Sequence, residues 1–165
     1  MGKAGDVVSL AEWRYNDGAR RESLYAAARM ADSLRKELLA QRESFAFETV
    51  FSDPIGKKIG FLREAFASGY TTILCFIGIS GHTVSDERVA MRVSQGGHDV
   101  PPVKLAERFP RTIANLKLAA KELPHVWVFD NDDLGKPFRL MAVVGNGSVV
   151  QLNKPVPKWF QTMLR

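Results

Sequence analysis

The stretch Thr71-Thr72-Ile73-Leu74-Cys75-Phe76-Ile77-Gly78-Ile79 decides how the rest of the chain is read. It carries no charge, and Gly69 and Gly81 bound it. A strand wetted on one face alternates apolar with polar residues, whereas an unbroken apolar run predicts a parallel strand covered on both faces. The run is too short to cross a bilayer, so no membrane partner is expected. Cys75 lies inside it and is expected to be a buried structural thiol, because a reactive thiol needs polar or cationic neighbours. It is the sole cysteine, so no disulfide framework can form within the chain and a reducing cytoplasm is the expected setting. Residues 1–15 hold Asp6, Glu12 and Arg14 and no apolar region of the secretory type.

Outward from that strand, helical and extended patterns alternate. Leu24, Ala27, Ala28, Ala31, Leu34, Leu38 and Leu39 recur at three- and four-residue steps and predict a long helix over 20–41. Ser44 to Val50 reads as a short aromatic strand. Asp53-Pro54 is expected to open a helix with the stripe Ile55, Ile59, Leu62 and Phe66, ended by Gly69. Helices are predicted from about Thr83 to Ser94 and from Pro102 to Lys121. Val126 to Phe129 is a further strand. Two weaker strands over 139–152 flank the hairpin signal Gly145-Asn146-Gly147, and Pro155 to Leu164 reads as a last helix. Residues 1–18 read as irregular. The alternation predicts a single α/β domain over 1–165 with a mainly parallel sheet flanked by helices.

The chain has 165 residues, with 45% hydrophobic and 25% charged, which excludes disordered and collagen-like classes. Lys and Arg number 23 against 18 Asp and Glu, a net charge of +5 that favours anionic partners. Nucleic acid is an unlikely one, because no helix-turn-helix, zinc or RNA-recognition signature accompanies the charge.

Ligands of open α/β sheets bind beyond the carboxyl ends of the strands. Glu48 and Thr49 fall at such an end. A carboxylate there can hold Mg²⁺, orient a hydroxyl or accept a proton, and it can equally cap the next segment. Arg88 and Arg92 are four apart and share a helix face, as two guanidiniums that clamp phosphoryl oxygens would. Arg108 and Arg111, three apart on the next helix, are expected to join them in one cavity. The alternative is a solvated face with Glu87 and Glu107 as partners. Gly96-Gly97-His98 joins the two helices, and adjacent glycines give the mobility a lid needs. Asp130 and Asn131 end the Val126 strand. His82, His98 and His125 lack metal-ligand spacing, so no metal site is expected. The pattern G-x-x-x-x-G-K-[ST] does not occur, so the backbone phosphate cradle it builds is missing from the sequence.

Taken together, Glu43-Ser44-Phe45-Ala46-Phe47-Glu48-Thr49, Gly69-Tyr70 before an apolar strand, Arg88-Val89-Ala90-Met91-Arg92-Val93, Gln95-Gly96-Gly97-His98-Asp99-Val100-Pro101, Arg108-Phe109-Pro110-Arg111 with Asn115-Leu116, and Phe129-Asp130-Asn131 resemble the zeta-toxin family of P-loop kinases. The match is clearest over 24–145 and corresponds to the carboxyl-terminal two-thirds of the family domain, without its first strand and Walker A loop.

The resemblance implies a P-loop-kinase-like fold and transfer of the ATP γ-phosphate, with Mg²⁺, to UDP-N-acetylglucosamine or a related sugar nucleotide. It places Glu48 and Thr49 on the substrate side, and Arg88, Arg92, Arg108 and Arg111 around the transferred phosphate. Gly96, Gly97 and His98 become the lid, and Asp130 and Asn131 lie near the nucleotide. Positive charge around the moving group supplies much of the catalysis in phosphoryl transfer. An antitoxin partner is also implied. Two other readings are a non-catalytic nucleotide- or partner-binding remnant of that fold and a basic nucleic-acid-binding domain.

Overall fold

A computed structural model describes residues 17–54, 56–96 and 100–163. The chain divides into two compact units, one ending at Phe47 and the other beginning at Glu48. In the first, helix α1 spans Asp17–Ala40. The chain turns out of it at Arg42, which is left-handed at φ 64°, and the Glu43 amide closes on the Leu38 carbonyl at 3.0 Å. Phe45 and Phe47 follow with their rings stacked 6.3 Å apart, and the Arg35 guanidinium lies 4.7 Å from the Phe47 ring centre. Arg35 also pairs with Asp32. The strand expected over Ser44 to Val50 does not form, because these aromatic residues pair with one another and with a cation of α1 and enter no ladder.

The second unit holds the sheet. Its elements are α2 (Lys57–Ala67), β1 (Leu74–Gly78), α3 (His82–Ser94), α4 (Pro102–Glu122), β2 (Val126–Asp130), β3 (Arg139–Gly145), β4 (Ser148–Leu152) and α5 (Lys158–Gln161). Helix α2 starts after Gly56, left-handed at φ 62°, so Asp53-Pro54 precede the helix without capping it. Of its expected stripe, Ile59 is buried and Phe66 exposed, and Ile55 lies outside the described residues. Gly69, at φ 90°, ends α2 as expected, with the Tyr70 amide bonded to the Ala65 carbonyl. The last helix is a single turn over Lys158–Gln161, shorter than the periodicity predicts.

The strands lie in the order β1-β2-β3-β4. β1 and β2 are parallel, with Leu74 opposite Val126 and Gly78 opposite Asp130. β2–β3 and β3–β4 are antiparallel, so the expectation of a mainly parallel sheet is corrected to a mixed one. The reason is connection length. A parallel return needs a crossover of a dozen residues or more, which α3 and α4 supply between β1 and β2. The short segment 131–138 can only double back. Asn146 and Gly147, both at positive φ, make the two-residue turn between β3 and β4.

β1 is also covered on one face only. Phe76 and Gly78 are buried, whereas Cys75 and Ile77 are exposed, so the thiol expected to be buried is not. The apolar run was uninformative about facing because both of its faces are apolar. The core lies on the covered face, where Phe76, Val126, Val128, Ala142 and Val144 meet Ile59 of α2, Leu116 and Ala119 of α4, and Trp159 and Phe160 of α5. Burying each of the larger of these side chains contributes about 1.5–3 kcal/mol.

The Trp159 indole packs directly on Gly78. A Cβ at Gly78 would come within 2.1 Å of the ring. Gly78→Ala is therefore expected to destabilise the fold by about 1–3 kcal/mol, the usual cost of overpacking, in urea denaturation followed by Trp fluorescence. Unchanged stability would mean that the indole is not held against β1.

Candidate functional site

Helix α4 positions the site. Leu105, Arg108, Phe109, Thr112, Ile113, Leu116 and Ala119 fall on one face at three- and four-residue steps. Leu116 and Ala119 are fully buried in the core, but from Leu105 to Ile113 the same face is only half-buried. That half borders a cavity of about 190 Å³. Phe76, Gly78 and Ile79 wall it from the carboxyl-terminal half of β1, Ser85 from the first turns of α3, and Val50 from the preceding loop. Asn115 fixes that loop. Its side-chain amide, buried in α4, donates to the Phe51 and Asp53 carbonyls, both at 3.0 Å.

The cavity lining is largely apolar, with Ser85, Arg108 and Thr112 as its polar side chains. Thr112 donates its hydroxyl to the Arg108 carbonyl at 3.0 Å. The Arg108 guanidinium makes no hydrogen bond or ion pair among the described residues. Arg108 is partly buried, and a planar guanidinium in such a position is a candidate to receive an anionic group.

The other predicted residues are distributed around this site. Arg88 donates to the carbonyls of Asn131 and, at 3.3 Å, Asp132, tying α3 to the end of β2. Arg92, one turn on, is exposed. Arg111 lies 3.9 Å from Glu107 on its own helix, and its Nε is shielded from water with no hydrogen bond. Of the four arginines, Arg108 alone lines the cavity. Glu48 and Thr49 are exposed and end no strand, although Val50 beside them reaches the cavity wall. Gly96 closes α3 at φ 90°. Gly97 and His98, the rest of the predicted lid, lie outside the described residues.

At the end of β2 the polar groups serve the fold. The Asp130 carboxylate accepts from Arg139 at 3.0 Å and from the Trp159 indole at 3.4 Å. Asn131 donates its amide to the Gly78 carbonyl at 2.9 Å and accepts from the Phe138 amide at 3.2 Å. Asp132 accepts from the Ser80 amide at 2.7 Å. These bonds hold the β1–α3 turn over the parallel pair. The strand-end rule also directs attention to Ser80-Gly81-His82, but sequence reasoning missed Asp132, Arg139 and Trp159, since their bonds depend on the sheet register.

Asp130 is engaged through both carboxylate oxygens and Asp132 through one, and Glu48, the carboxylate that the sequence offers to Mg²⁺, is exposed. Among the described residues, no three His, Cys, Asp or Glu side chains gather in a form that could hold a metal. No helix among them is long and apolar enough to cross a membrane. No protein-family model, curated protein or solved structure matches the chain.

Arg88→Ala leaves the carbonyls of Asn131 and Asp132 without their donor. The expected result is a loss of about 1–3 kcal/mol in stability, with faster amide exchange over 130–133, read by hydrogen exchange. Exchange unchanged in that segment would show that the arginine does not hold it.

Proposed function

We propose that this chain is a zeta-toxin-like domain, and that its cavity at the carboxyl end of β1 holds the phosphate-bearing part of a sugar nucleotide or a similar small phosphorylated molecule, the acceptor in ATP-dependent phosphotransfer. The observation that carries the reading is Arg108, partly buried and without a side-chain partner among the described residues, in the same cavity lining as Ser85 and Thr112. A planar fork of donors suits phosphoryl oxygens, and a partly dry setting strengthens each charge-assisted hydrogen bond. The β1–β2 parallel pair with its helical crossover supports a P-loop-like ligand site, since such sheets bind ligands beyond their carboxyl ends. At about 190 Å³ the cavity is smaller than the roughly 300–1,000 Å³ of a whole small-molecule site. It accommodates one group of the ligand, and the remainder lies at the mouth near Val50, where Glu48 is available to an acceptor hydroxyl.

A second reading is a non-catalytic binder of the same ligand. It is favoured by the lack of a G-x-x-x-x-G-K-[ST] cradle in the sequence and by the engaged carboxylates at the end of β2. Both readings share the ligand and differ in whether ATP is bound.

Calorimetry separates them. UDP-N-acetylglucosamine is expected to bind, and Arg108→Gln to weaken it about tenfold or more, the equivalent of one charge-assisted hydrogen bond at about 1.5–3 kcal/mol. Equal affinity in the variant would remove Arg108 from the site. MgATP is expected to show no micromolar site, because the kinase reading needs a phosphate cradle that this sequence lacks and that has to be supplied to it. A tight magnesium-dependent one would support catalysis over simple binding.

A further inference from the structure

The apolar face of α4 has two halves. From Leu116 onward it is sealed into the core, whereas from Leu105 to Ile113 it opens on the cavity. Nothing among the described residues fills that space, yet its walls are those of a core: Phe76 and Ile79 on one side, Leu105, Phe109 and Ile113 on the other. A dry apolar cavity of roughly 150 Å³ is large enough for benzene. This one measures about 190 Å³ and has Arg108 in its lining.

We infer that the cavity recognises a compact apolar group, about one six-membered ring in size, joined directly to the anion that Arg108 holds. The inference rests on the reading of Arg108 as the anion-binding group. Within the phosphorylated small molecules proposed above, it selects aryl or short alkyl phosphates over polyhydroxylated rings. The polar inventory is the reason. A sugar ring brings several hydroxyls, each of which must be bonded if buried. Against them the lining offers only Ser85 and Thr112, and Thr112 already gives its proton to the Arg108 carbonyl. An aryl group needs none of these bonds and covers the exposed sides of Leu105, Phe109 and Ile113. A bare inorganic anion would satisfy Arg108 and leave those walls uncovered.

The test is titration of the ¹⁵N-labelled full chain with phenyl phosphate, inorganic phosphate and UDP-N-acetylglucosamine, followed by amide shifts and calorimetry. Phenyl phosphate is expected to bind at least tenfold more tightly than inorganic phosphate, with shifts centred on Phe76 to Ile79 and Leu105 to Ile113. Leu105→Trp, which fills the cavity from its wall, should remove that preference. The comparison of the two phosphates in the unaltered chain does not depend on the variant folding. Equal affinities for the two, no binding of phenyl phosphate, or shifts elsewhere overturn the inference. Binding of UDP-N-acetylglucosamine without an aryl preference also overturns it, and leaves the proposed function standing. An aryl preference without sugar-nucleotide binding supports the inference and removes the sugar nucleotide as ligand.

Discussion

The contact between the Trp159 indole and Gly78 organises the second unit. Only a residue without a side chain lets the ring lie this close to β1. Trp159 reaches Gly78 because its indole nitrogen is bonded to Asp130, the residue opposite Gly78 in the parallel ladder. The other oxygen of Asp130 holds Arg139, which also donates to the Pro155 carbonyl at 2.9 Å. One carboxylate thus ties the ends of the two parallel strands, the start of β3 and the segment leading into α5. Phe76 completes the arrangement, 6.1 Å from the indole and 6.3 Å from Phe51. The rings close the covered face of β1 and set the position of Gly78 and Ile79, which wall the cavity.

The cavity then follows from a mismatch between helix length and sheet length. Helix α4 runs from Pro102 to Glu122; Leu116 and Ala119 in its second half are fully buried, whereas Phe109 and Ile113 in its first half pack on the core and stay partly buried. The first half keeps the same apolar spacing and meets the open end of β1. A stripe that outruns its partner leaves space lined by apolar side chains. Arg108 falls within that stripe by periodicity, which brings a cation into apolar surroundings that a surface position would not provide.

The polar groups divide by the same geometry. Those at the ends of β1 and β2, namely Ser80, Arg88, Asp130, Asn131 and Asp132, bond to one another or to backbone and fix the turn above the parallel pair. Arg108, on α4, makes no such side-chain bond among the described residues. The arginines that look equivalent in sequence therefore differ in what they can do. Arg88 is a brace across α3 and β2, Arg111 lies beside Glu107 of its own helix, and Arg108 lines the cavity.

The helices of 3.6-residue period, the strand from Val126, the hairpin at Asn146-Gly147 and the end of α2 at Gly69 were legible in the sequence. Each of these is set by local periodicity or by residues that accept a positive φ. Three things that depend on distant parts of the chain were misjudged. Ser44 to Val50 has the composition of a strand, but a strand exists only where a neighbour offers a ladder, and Phe45 and Phe47 found each other and Arg35 instead. The apolar run at β1 implied two covered faces, and only the tertiary structure decided that Cys75 and Ile77 stay exposed, because an all-apolar strand does not encode which face is inside. The direction of β3 was decided by the short 131–138 connection together with the pairing it permits. The grouping of Asp130, Arg139, Trp159 and Gly78 was likewise a tertiary decision, since it depends on a ladder register that no local pattern carries.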